Sequence, residues 1–138
     1  MRNSDKYKTL LRIIVAQPEH VEDRALVKVC EFFDGNDDLG SIGCNLPKHP
    51  GLDTFRRVIG QVAALDSVDQ IWLQIYDHDE GEWPFSENIL IFGDVTITEI
   101  ERLSSVIEPS EVNEMRIDWR PSRAPDLEGR RYVNLWWD

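Results

Sequence analysis

Residues 69–92 read DQIWLQIYDHDEGEWPFSENILIF. From Asp69 to Tyr76 the side chains alternate, with Ile71, Leu73 and Ile75 on one face and Trp72, Gln74 and Tyr76 on the other, the period-two pattern of a strand. Asn88 to Phe92 reads as a second strand. The intervening residues 77–87, DHDEGEWPFSE, are too long and irregular for a tight turn and suit a hairpin with a functional tip.

Working outward, Asp53 precedes Phe55, Val58, Ile59, Val62 and Leu65, an apolar stripe at helical spacing with the aspartate as its cap. On the other side Thr98 and Glu101 make a capping box, and Ile97, Ile100, Leu103, Val106 and Ile107 supply the buried side of a helix stopped by Pro109. The opening SDKYKTLLRIIVAQ predicts a helix ending before Pro18, although Ile13-Ile14-Val15 also suits a strand. ALVKVCEFF, residues 25–33, reads as a strand buried on both faces, and Met115 to Trp119 and the terminal YVNLWWD as two more. This order predicts an α+β two-layer domain, one unit over residues 1–138. Its sheet is mostly antiparallel, with about three helices on one face.

A chain of 138 residues with 41% hydrophobic content can bury a real core. Lys and Arg number 15 against 26 Asp and Glu, a formal net charge of -11 that repels phosphate backbones and anionic headgroups. Nucleic acid and membrane are therefore not expected partners, and the apolar runs Leu10 to Ala16 and Ile89 to Phe92 are far shorter than the roughly 20 residues of a membrane helix. The start MRNSDKYK lacks a signal-peptide pattern, so a cytoplasmic location is expected, with Cys30 and Cys44 as free thiols.

Two acidic loops are the candidate sites. Residues 34–51, DGNDDLGSIGCNLPKHPG, form a long Gly-, Asp- and Pro-rich loop, a length that is often functional. Its Asp34, Asn36 and Asp38 have the alternate spacing of calcium ligands, but Leu39 stands where the loop glycine belongs and Asn45 where a bidentate glutamate belongs. The second cluster, Asp77, Asp79, Glu80 and Glu82, precedes Trp83-Pro84-Phe85 without a compensating Lys or Arg. A carboxylate-rimmed aromatic patch suits an Arg-rich partner; the alternative is that Trp83 and Phe85 tuck beneath the sheet. His20, His49 and His78 lie in separate loops without the spacing of a zinc pair, and Ser41 and Cys44 lack a nucleophile signature. Arg116, Arg120, Arg123, Arg130 and Arg131 gather near the C-terminal end, placed to pair within the chain or between subunits.

FFDGNDDLGSIGCNLPKHPG, WPFSENILIF and the terminal VNLWWD together resemble a family of small bacterial proteins of unassigned function. The resemblance runs from about Phe32 onward and implies no activity, cofactor or catalytic residue. A looser similarity, in size, acidity and aromatic content, is to immunity proteins that neutralise toxins by direct binding. The expected function is a protein-binding module, immunity-type or regulatory, monomeric or homodimeric. Asp34, Asn36, Asp37, Asp38, Asp77, Asp79, Glu80, Glu82, Trp83 and Phe85 would engage a basic partner, and no cofactor is expected. The alternative is a small metal-dependent enzyme centred on Asp34, Asn36, Asp38 and Asp77.

Overall fold

Ile89, Leu90, Ile91 and Phe92 are all fully buried, which for consecutive strand residues requires cover on both faces of the sheet. A computed structural model, describing residues 4–79 and 81–138, supplies that cover in two different ways. The sheet has five strands: β1 (Ala25–Lys28), β2 (Val68–Asp77), β3 (Phe85–Gly93), β4 (Glu111–Arg116) and β5 (Arg131–Trp136), in the order β1-β2-β3-β5-β4. Every neighbouring pair is antiparallel. The fold is α+β, as the order of helices and strands in the sequence predicts.

The inner face, carrying Val27, Leu73, Ile75, Ile89, Ile91, Val133 and Leu135, packs against the helices in one continuous cluster. These are α1 (Asp5–Val15), α2 (Val29–Phe33), α3 (Leu52–Ala63) and α4 (Ile97–Ser104). Helix α1 inserts Tyr7, Leu10 and Ile14, and α3 inserts Phe55, Val58, Ile59 and Val62, the stripe read from its spacing. The isoleucine-rich segment before Pro18 is thus helical, capped by the Ser4 side chain accepting from the Tyr7 N–H.

Several boundaries differ from the sequence reading. ALVKVCEFF is a strand only to Lys28 and then turns into α2. Extended backbone would send Phe32 and Phe33 to opposite faces, whereas the helical turn buries both in the inner core, edge to face at a centroid distance of 5.0 Å. Glu31 starts this turn by accepting the Lys28 N–H at 2.7 Å. Helix α3 is capped at Gly51, φ +99°, leaving Asp53 in its first turn, and the cap of α4 is Thr96, accepting from Glu99 N–H at 3.1 Å, in place of the Thr98–Glu101 box. Strand β4 begins at Glu111 and ends at Arg116, because its register against β5 is set from Glu111 opposite Trp136. Ile117 and Trp119 then leave the sheet edge to cover its outer face.

That outer cover is a loop, residues 117–130. Ile117, Ala124 and Leu127 close over Leu26, Trp72, Leu90, Phe92 and Tyr132. A loop makes poor cover unless pinned, and Arg123 pins it. Its guanidinium forks onto Glu31 (Nη1–Oε1 2.7 Å, Nη2–Oε2 3.0 Å), donates to Leu26 O and lies over the Trp72 ring at 5.4 Å. Other arginines of the C-terminal cluster also pair within the chain: Arg130 with Asp69, Arg131 with Glu114 and Arg120 with Glu128. At the inner end of the hairpin, Gly93 (φ +142°) lies against Ser67, where a Cβ would come within 2.0 Å of the Ser67 carbonyl.

Burial alone would raise the Glu31 carboxyl, but the Arg123 fork and the Lys28 N–H outweigh it and hold Glu31 below its usual value. A depressed carboxyl stabilises the fold above its unfolded pKa, about 4.3 for glutamate, and that contribution disappears as pH falls through the lower folded value. Arg123→Ala is expected to cost about 2 kcal/mol at pH 7, measured by urea unfolding. The gap from wild type should narrow as pH drops below the ordinary glutamate range; a gap independent of pH would mean that packing on Trp72, and not the ion pair, carries the effect.

Candidate functional site

Along each central strand the outward-facing side chains change from apolar to polar, on β5 one outward pair earlier than on β2 and β3. On β2 Trp72 is followed by Gln74 and Tyr76, on β3 Phe92 and Leu90 give way to Asn88, and on β5 Tyr132 gives way to Asn134 and Trp136. The loop covers the apolar half. The polar half remains a concavity of about 600 Å³, reaching from Asp23 and Arg24 beside β2 to Asn113 and Met115 on β4.

Its floor is a row of four amides, one from each of four strands. Gln74 Nε2 donates to Asp23 O at 2.8 Å, and Asn88 Nδ2 donates to Gln74 Oε1 at 3.3 Å and to Asn134 Oδ1 at 3.0 Å. Asn134 Nδ2 continues the row to Asn113 Oδ1 at 3.4 Å. Asn134 is only 6% exposed, and a buried amide in a β-sheet is tolerated because these bonds satisfy it. The walls are aromatic, formed by Tyr76, Trp119, Trp136 and Tyr132. Trp119 Nε1 is buried with no hydrogen-bond partner among the described residues, a condition that ordinarily costs about 1–3 kcal/mol.

Charge at the rim is unequal: Glu22, Asp23, Glu87, Glu111 and Asp118 face Arg24 and Arg116. Arg24 lies over the Trp119 ring at 5.2 Å and within 3.8 Å of both Glu22 and Asp118, while Arg116 donates to Gly129 O. Burial pushes the Glu87 carboxyl above its usual value, and Asp138 adds to the rise against a Trp136 hydrogen bond that favours the ionised form. Burial, with Asp118 nearby, also pushes the Tyr132 phenol up to about 12, so it stays protonated at neutral pH.

The two acidic loops do not line the concavity, although the second borders it at Phe85. Trp83 is buried, 3% exposed, with its Nε1 donating to Phe32 O at 2.9 Å and its ring 6.1 Å from Tyr7, while the Gly81 N–H donates to the Tyr7 hydroxyl. Trp83 therefore joins the tip to the start of the 34–51 loop through the core. Asp34 pairs with Arg56 at 2.7 Å, Asn36 donates to Ser41 Oγ and accepts the Asp38 N–H, and Asp38 caps the short turn Leu39–Ser41 by accepting the Gly40 N–H. Asp37, Asp77, Asp79 and Glu82 are exposed, and half-buried Phe85 meets Tyr76 edge to face at the border of the concavity. Glu80 lies outside the described residues. No group of three or more His, Cys, Asp or Glu side chains placed to hold a metal ion occurs among the described residues. Cys30 and Cys44 are exposed and unbridged, and His49 spans Ile42 O and the Gly51 N–H inside its loop.

An antiparallel sheet with helices on one face and an amide-floored, acid-rimmed concavity on the other defines an α+β protein with a ligand-sized open sheet face. Residues 5–135 match the Uncharacterized protein YfbO family, and the chain belongs to that family. It is similar to Uncharacterized protein YfbO of Escherichia coli (strain K12), at 26% identity over 123 residues, covering 83% of this chain and 84% of the relative. No solved structure matches it. No helix among the described residues is long and apolar enough to cross a membrane.

The raised Glu87 carboxyl has a signed consequence. Ionised Glu87 opposes folding above its folded pKa, and the penalty vanishes once pH falls below the unfolded glutamate value. Glu87→Gln is expected to raise Tm slightly at pH 7 and to lose that advantage at pH 4, a pattern that thermal melts across the pH range would check; an equal or larger gain at pH 4 would contradict it.

Proposed function

We propose that this protein is a binding module that takes a basic polypeptide segment of a partner protein on the open half of its sheet. The observation that carries the reading is the amide row set inside an acid-rimmed concavity beside an unpartnered indole N–H. Side-chain amides offer both donors and acceptors, which match a peptide backbone without demanding one side chain. Trp119 Nε1 is a donor suited to a backbone carbonyl. Five rim carboxylates against two guanidiniums favour Lys or Arg side chains, and Tyr76 and Trp136 offer faces on which such cations rest.

The acidic loops have a second role in this reading. With a net charge of -11, Asp34, Asp37 and Asp38 and the tip residues Asp77, Asp79 and Glu82 extend a negative field that speeds encounter with a basic surface. Phe85, at the border of the concavity, joins the tip to the contact area. A module of this kind acts by occupying a basic surface of its partner, as immunity-type and regulatory inhibitors do.

The test is capture from a bacterial lysate by tagged wild type and by two charge-reversed variants, followed by binding kinetics on the recovered protein. Wild type is expected to retain a basic partner whose on-rate falls roughly tenfold or more between low and physiological salt. Glu111→Lys with Asp118→Lys should abolish capture, while Glu99→Lys with Glu101→Lys on α4 should preserve it. Equal capture by both reversed variants, or binding indifferent to salt, would refute the open-face reading.

A further inference from the structure

We propose that His20 and His78 form a two-imidazole binding site for a divalent transition-metal ion of the imidazole-preferring kind, zinc or copper(II). The two residues are 58 apart in sequence, yet His20 Nδ1 and His78 Nε2 face each other at 3.2 Å. The ring centroids are 5.2 Å apart, so the rings meet nitrogen to nitrogen and are not stacked face on face. Two ring nitrogens held at this distance need something positive between them. In the metal-free pair that is a proton, donated by one ring to the lone pair of the other. A metal ion fits the same gap: with zinc–nitrogen bonds of about 2.0–2.1 Å at a tetrahedral angle, ligand nitrogens stand about 3.3 Å apart.

Both side chains project from backbone that is fastened by bonds outside the pair. His20 lies in the turn Pro18–Glu22, which is fastened at three points. Before it, the buried Gln17 amide spans the N–H and C=O of Leu26 on β1, at 2.9 and 3.0 Å. Within it, Glu19 Oε1 accepts both the N–H and the hydroxyl of Ser122 at 2.8 Å, and after it Asp23 O accepts from Gln74. His78 follows directly on β2, and its N–H donates to Asp77 Oδ1 at 2.8 Å. Such support fixes the backbone from which both ligands project before the ion arrives. Both residues are half-buried, so the ion reaches the pair from solvent and keeps water in its remaining positions. Imidazole is a preferred ligand of zinc and copper, whereas calcium and magnesium require oxygen donors. Metal entry needs only a change of tautomer: the ring that donated its N–H carries the proton on its other nitrogen, so a neutral pair loses no proton.

The probe is copper(II) sulfate or zinc chloride added to the chelator-treated full chain. Calorimetry is expected to give one ion per chain. Long-range proton–nitrogen NMR of the imidazoles should shift His20 and His78 with zinc and leave His49 unmoved, which separates this site from one built on the exposed Cys30 or Cys44. His20→Gln and His78→Gln should each weaken binding at least about tenfold while the fold, followed by circular dichroism, is retained. Absence of binding at millimolar zinc and copper, an ion carried by His49 or by the thiols, or undiminished affinity in the double variant would each overturn the proposal.

Discussion

The structure turns on one requirement, that the four consecutive residues Ile89 to Phe92 be kept dry on both faces of the sheet. A β-strand sends alternate side chains to opposite sides, so no single layer of helices can protect such a run. Ile89 and Ile91 are covered by the helices, and Leu90 and Phe92 by a loop that has little secondary structure of its own. A loop lying on a sheet keeps its place only through specific bonds. Here Arg123 supplies them, joining Glu31 of α2, the carbonyl of Leu26 and the ring of Trp72.

The open concavity follows from where that cover stops. Beyond Trp72, Leu90 and Tyr132 the outward positions become Gln74, Asn88 and Asn134, which hydrogen-bond one another across the strands and tolerate water above them. The result is a stiff floor of amides on central strands, with aromatic walls and carboxylates at the edge. Rigid strands place polar groups more accurately than loops do, and the proposed binding function therefore uses this surface in preference to the acidic loops. In that proposal the loops contribute at longer range, through charge. Trp83 and Tyr7 link the hairpin tip to α2 and α1.

Much of the fold was legible from pattern. The alternation of residues 69–76, the stripes of α1, α3 and α4, and the antiparallel α+β class all come from periodicity, which depends on nearest neighbours along the chain. Legibility failed where a choice between local options was settled by distant atoms. Val29 to Phe33 has strand composition but becomes a helix because two phenylalanines must enter the same core, and Thr96 displaced Thr98 as a cap by a shift of two residues. Of the candidate site, the acids were visible as strings. The amide row was visible only in hindsight, as the change from Trp72 to Gln74 and from Leu90 to Asn88, since isolated Asn and Gln carry no signature until their strands are in register.

By itself the sequence determined the net charge, the class of fold, the positions of the main helices and strands and membership of a family, because composition and periodicity are properties of the chain in one dimension. Only the tertiary structure decided which side chains meet. It set Arg123 against Glu31, Asn88 against Asn134 and His20 against His78, pairs separated by 92, 46 and 58 residues. The physical reason is that strand register and loop placement are fixed by burial summed over the whole domain, and a side-chain pair of this separation exists only after that sum has been made.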